Sequence, residues 1–218
     1  MTGIFGNSSR SNSVSDHSPF KQAVGIDDLA VYIPQLYLPL EGEFSRRREI
    51  DPGKLTRGIG IERMAIPDAH EDAATMAAMS LLELMRRCDL LPEDIGKIHV
   101  GTESAVDEAK AIGTYVIGML EKVYGPGSFQ HCSTVEFKSA CIGTTLALES
   151  ISYWVAADEG ERVGVVIASD VAKYPLGSSG EYTQGAGSVS LLVKKNPRIA
   201  VLEQIYGCFT RDENDFFR

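Results

Sequence analysis

The 218-residue chain has no uninterrupted apolar run near the roughly 20 residues that a membrane span needs, so a transmembrane anchor is not expected within it. It has no basic excess: 21 Lys and Arg stand against 30 Asp and Glu, a formal net charge of −9. That balance argues against nucleic acid as a partner, because phosphate binding wants a basic face. Cysteine is scarce and scattered (Cys88, Cys132, Cys141 and Cys208) with no CxxC pair and no signal peptide ahead of it. That spacing argues against a disulfide framework or a zinc site and predicts free thiols in a reducing cytoplasm. Neither a metal nor a cofactor is expected.

What the chain does have is an ordinary globular composition, 44% hydrophobic and 23% charged. Residues 1–22 are Ser- and Asn-rich without sustained periodicity, and are expected to form a flexible leader. Order should begin at Ala23. The run AVGIDDLAVYIP predicts a strand with an irregularity at Asp27–Asp28. Residues 36–66 read as surface loops with one short helix around Lys54–Arg57. DAATMAAMSLLELMRRC, residues 72–88, predicts a strong helix with arginines in its last turn. A buried strand follows over Lys97–Thr102, then a helix from about Ala105 to Tyr124 that stops at Gly125-Pro126-Gly127. An extended stretch at Val135–Lys138, a helix over Thr144–Ala157, and strands from Val163, over Ser188–Val193 and over Ile199–Tyr206 complete the order. This alternation predicts an α/β layered domain, a mixed sheet with crossover helices on both faces.

The most informative stretch is EFKSACIGTTLAL, residues 136–148, where an extended segment meets small residues and a helix begins just after Cys141. Unpaired N–H groups and the positive end of the helix dipole there favour a thiolate and would stabilise an oxyanion on an acyl group carried by that sulfur. Gly143 permits close approach of substrate or backbone. On the residues alone, Cys141 is either a nucleophile or a small side chain filling a tight strand–helix junction.

EFKSACIGTTLAL resembles the nucleophile motif of the hydroxymethylglutaryl-CoA synthases. Three further segments resemble that family in the same order: GTESAVD (101–107), GEYTQGAG (180–187) and DENDFFR (212–218). The resemblance runs from about Val24 to Arg218 and implies the amino-terminal half of a thiolase-like fold. It implies an acyltransferase that condenses acetyl-CoA with acetoacetyl-CoA. Cys141 would carry the acetyl group, and Glu103 would be the base for its methyl proton. From the residues alone, Glu103 also reads as an acid at the start of the Ala105 helix. Thr183, or more weakly Ser179 and Tyr174, would contact the acyl or pantetheine portion; a plain strand threonine is the alternative for Thr183. Asp51 falls where relatives place an acyl-CoA contact, but reads first as an ordinary turn aspartate. Lys138 reads as a solvated strand-end charge, and His99 as part of a buried strand. The family's histidine segment, of His-x-Pro-Phe type, is not among these residues. A split gene, a truncated product and a non-catalytic scaffold subunit all remain open. So does a ketoacyl synthase III-like enzyme, which would lack the TESAVD glutamate. The expected partners are coenzyme A thioesters, a second copy of the chain (a dimer), or a second polypeptide carrying that histidine.

Overall fold

The computed structural model describes residues 22–203 and 207–212. All of the expected leader but Gln22, the end of the strand expected over Ile199–Tyr206, and all of DENDFFR beyond Asp212 lie outside the described residues.

A strand β1 (Val24–Tyr32) leads into β2 (Leu36–Pro39), a short helix α1 (Glu43–Arg47), a π-helical turn (Lys54–Ile59) and β3 (Arg63–Ile66). Then come α2 (Ala73–Arg87), β4 (Ile95–Gly101), α3 (Ile112–Tyr124), β5 (Ser133–Phe137) and α4 (Gly143–Ala157). The strands β6 (Val163–Ala172), β7 (Gly185–Lys195) and β8 (Ala200–Val201) close the series. Six strands form one sheet in the order β5-β4-β6-β7-β1-β8. The strand β4 runs parallel to both β5 and β6, while the β6–β7, β7–β1 and β1–β8 pairs are antiparallel.

Alternation along β6 explains the layering. Val165 and Ile167 point into a core with Leu81, Leu84 and Met85 of α2 and Val116 and Leu120 of α3. Val166, between them, points the other way, into a core with Ala147, Ile151 and Val155 of α4. Helices thus cover both faces of a mixed sheet, as expected. Coverage by α4 is partial. Leu29 and Val31 lie opposite Leu191 and Val189 and so share its face, yet Val31 is 49% exposed, as is 41% of Tyr153 on α4 itself. No helix among the described residues is long and apolar enough to cross a membrane.

The helix α2 starts where its residues dictate. Asp72 Oδ1 accepts the Thr75 N–H at 2.7 Å, and Thr75 Oγ1 accepts the Asp72 N–H at 2.7 Å, a reciprocal cap. The irregularity expected at Asp27–Asp28 is a β-bulge between Ile26 and Asp28. It buries the Asp27 carboxylate, which accepts two bonds from the Arg198 guanidinium at 3.0 and 2.8 Å.

Three expectations need correction. The helix expected from Ala105 begins at Ile112, because the Asp107 carboxylate accepts the N–H groups of Ala109 (2.8 Å) and Lys110 (2.7 Å) and so stabilises a turn instead. Residues 36–66 are not only loops: β2 and β3 pair, and Leu40, Phe44, Leu55 and Met64 form a small core of their own. Every residue of β2 is exposed, so it has no hydrophobic alternation to read. The final strand, expected over Ile199–Tyr206, is only Ala200–Val201 in its described part.

Candidate active site

Because β4 and β5 are parallel neighbours with Gly101 opposite Phe137, the chains leaving them begin side by side, and Thr102 N–H donates to Phe137 O at 3.2 Å. This is the carboxyl end of the parallel strands, where open α/β sheets place ligands. Glu103 lies two residues beyond β4. Cys141 lies four residues beyond β5, in a single 3-10 turn, Ala140–Ile142, that runs directly into α4.

The β5–α4 junction is closed backbone against backbone. A Cβ on Gly101 would fall 2.3 Å from Thr144 N, and one on Gly143 would fall 2.5 Å from Phe137 O. Only glycine at both positions lets the start of α4 abut the ends of two strands. Ala140 has φ of +47°, a left-handed conformation that costs a non-glycine residue about 1 kcal/mol or more. Cys141 is exposed, at the end of α4 where N–H groups lack intrahelical partners.

The stretch carrying Glu103 is held by side chains. Asp170 of β6 is its anchor: Oδ1 accepts the N–H of Glu103 at 2.7 Å, the N–H of Ser104 at 3.2 Å and the Ser104 hydroxyl at 2.9 Å. Buried Thr102 places Oγ1 2.8 Å from both Asp170 Oδ1 and Ser169 O. Ser104 Oγ in turn accepts the Val171 N–H at 2.9 Å. The Glu103 side chain is half-buried on this fixed backbone. A cavity of about 410 Å³ is lined by Thr102, Glu103, Ser104, Ala105, Glu108, Lys138 and Ala140. Glu103 and the turn that carries Cys141 therefore share one cavity.

The remaining candidates are not among the residues that line it. Thr183 is exposed on the turn Glu181–Thr183 before β7, with Oγ1 donating to Gly180 O at 2.7 Å. Tyr174 is half-buried; its N–H donates to Gln184 Oε1 at 2.7 Å, and its ring packs on Gly180. Ser179 is exposed in the same loop. That loop walls a second cavity of about 640 Å³, with Lys173, Glu181 and Gln184 facing Phe44, Arg48 and Met64. There the Arg48 guanidinium makes two 2.7 Å bonds to buried Glu181 and holds its carboxyl below the ordinary value. Asp51 is an exposed turn residue whose Oδ1 accepts the Gly53 N–H at 3.0 Å. His99 is buried against Phe137, and burial lowers its pKa.

Asp170, Gly101 and Glu181 were missed as contributors. A lone aspartate in the apolar run VGVVIASDVA was the available signal for the first. The other two act through contacts with residues far away in sequence.

Comparison with known proteins identifies the family. The model of the family described as hydroxymethylglutaryl-coenzyme A synthase N terminal matches residues 20–198. A hydroxymethylglutaryl-CoA synthase of Haloferax volcanii is 41% identical over 197 residues, covering 90% of this chain and 44% of the relative. One of Enterococcus faecalis is 36% identical, covering 89% and 48%. A solved HMG-CoA synthase complexed with CoA superposes with a TM-score of 0.78 at 35% identity, over 90% of this chain and 48% of that one. The chain spans about half the length of the curated relatives it matches. The fold is thus the thiolase-like α/β half that the motifs implied. The chain therefore belongs to the hydroxymethylglutaryl-CoA synthase family and corresponds to its amino-terminal half.

Proposed function

We propose that this chain supplies the acyl carrier and the base for condensing acetyl-CoA with acetoacetyl-CoA to 3-hydroxy-3-methylglutaryl-CoA. The observation that carries the reading is the cavity shared by Glu103 and Ala140, the neighbour of Cys141. Cys141 Sγ attacks the acetyl-CoA carbonyl, and coenzyme A leaves as the thiol. The N–H groups at the start of α4 stabilise the oxyanion. Glu103 takes a proton from the acetyl methyl, which the thioester acidifies, and the resulting carbanion adds to the ketone of acetoacetyl-CoA. Water then cleaves the Cys141 thioester and releases the product. Thr183, Ser179 and Tyr174 contact the acyl or pantetheine chain from their loop, and Asp51 contacts the coenzyme. Relatives of known structure are described in complex with CoA and with 3-hydroxy-3-methylglutaryl coenzyme A, which supports this ligand class.

The histidine that protonates the ketone oxygen comes from a second unit, either the remainder of a longer polypeptide or a partner subunit, and the chain works as an oligomer. The partly uncovered face at Val31 and Tyr153 supports a further layer there. A cytoplasmic site of action is in keeping with a Gallus gallus relative, 28% identical, named as cytoplasmic.

The test is incubation with acetyl-CoA, alone and with any co-purifying polypeptide, followed by mass spectrometry of the Cys141 peptide. An added acetyl group is expected; its absence in both preparations would overturn the reading. Glu103→Ala should still be acetylated while condensation falls about 10²–10⁴-fold, the range for losing a general base. Undiminished condensation would favour a ketoacyl synthase-type mechanism instead.

A further inference from the structure

Residues 105–111 separate Glu103 from α3, and Asp170 holds only the near end of this loop. The far end is held by two side chains, Glu136 of β5 and Lys138 just beyond that strand, spaced so that they leave one face of an extended segment. Glu136 Oε2 accepts the Ile112 N–H at 2.6 Å, capping the first residue of α3. Lys138 Nζ donates to Asp107 O at 2.9 Å and to Glu108 O at 3.1 Å. It also lies 3.6 Å from Glu136 Oε1, a buried oxygen that makes no hydrogen bond. Lys138 is therefore no simple solvated charge: its side chain is 37% exposed and is spent on the loop. The segment that bears this pair continues through Ser139 and Ala140 into Cys141, and Lys138 lines the cavity with Glu103.

The geometry points to Lys138 as a positioning residue, paired with Glu136, that latches the Glu103 loop to the strand leading into Cys141 and so fixes the base relative to the acyl carrier. The inference rests on the proposed roles of Cys141 and Glu103. An ammonium does this better than a neutral donor, because it serves two carbonyls and offsets the Glu136 carboxylate at once. In the latched loop, both ends of the segment that carries the base are pinned. Without it, Asp170 alone would hold one end, and the carboxylate would sample positions away from the acyl methyl.

Lys138→Met keeps the stem and removes the donors, Lys138→Arg keeps them, and both are compared with the unaltered chain together with whatever polypeptide completes the site. Hydrogen exchange at residues 105–112 is expected to accelerate roughly tenfold in Lys138→Met while β4 and α4 keep their protection. With acetyl-CoA in deuterated water, deuterium uptake into the acetyl methyl is expected to fall roughly tenfold further than Cys141 acetylation does, and Lys138→Arg should restore most of it. An equal fall in both steps alongside a lowered melting temperature would reduce Lys138 to a fold-stabilising residue and overturn the proposal. Unchanged exchange at 105–112 would overturn it too. If the unaltered preparation takes up no acetyl group, the proposed function fails, and the latch stands or falls on the exchange measurement alone.

Discussion

The two junctions that leave the parallel strands are built in contrasting ways. The one after β5 is short and closed by backbone contacts through Gly101 and Gly143, leaving no room for an added atom. The one after β4 is long and closed by charged and hydroxyl side chains of Asp170, Ser104, Glu136 and Lys138. A nucleophile that relies on a helix terminus is best fixed by packing, since the dipole falls off within a turn. A carboxylate base is held by a polar network, which orients it and remains adjustable. The packed junction should therefore fail on gaining a methyl group, and the polar one on losing an acceptor or a charge.

The largest effect is expected from breaking the packed side. Gly101→Ala forces a Cβ onto Thr144 backbone atoms and should cost about 1–3 kcal/mol, as overpacking does. Urea unfolding would measure that cost. Cys141 acetylation should fall with it, by roughly tenfold. On the polar side, Asp170→Ala leaves the Glu103 N–H without its acceptor, while the Ser104 N–H keeps only Thr102 Oγ1, and should cost about 1–3 kcal/mol. Here Cys141 should keep its reactivity toward iodoacetamide, so the loss appears in the proton-transfer step. A matching loss of thiol reactivity would show that the junctions are not independent.

Acid sharpens the same contrast. Backbone N–H groups of Lys110 and Ala109 hold the Asp107 carboxyl below its ordinary value of 3.8. A depressed folded-state pKa contributes stability above the ordinary value, and that contribution is lost as pH falls through the depressed one. Exchange at 105–111, corrected for its intrinsic pH dependence, should therefore rise below about pH 4. The turn Ala140–Ile142 contains no carboxylate and should not respond in that range. The smallest effect concerns the thiols. Burial pushes Cys132 up to about 12, whereas Cys141 and Cys208 are exposed. Alkylation near pH 8, followed by peptide mapping, should label Cys141 and Cys208 well before Cys132.

Much of this was legible in the residues. Two aspartates inside an apolar run marked the bulge of β1, and the Ala-, Leu- and Met-rich residues 72–88 marked α2, although its cap at Asp72 was not read from them. Small residues around Cys141 marked the strand–helix junction. The start of α3 was not legible, because local helix propensity at Ala105 lost to the Asp107 turn and to a cap from Glu136, 24 residues away. Nor was the β2–β3 pair, whose exposed strand has no alternation. The Arg48–Glu181 bond joins residues 133 apart, and no window of sequence contains both.

By itself the sequence determined the strand β1, the order of the elements from α2 onward, the two-faced sheet and the cysteine at the head of α4. Each depends on side-chain period, on capping or on residue size within a few positions of the chain. Only the tertiary structure decided that Glu103 and the Cys141 turn share a cavity, that Asp170 anchors one end of the Glu103 loop, and that Lys138 and Glu136 hold the other. Those facts follow from which strands are neighbours, and strand pairing is settled by burying both sheet faces at once, a condition that no local segment contains.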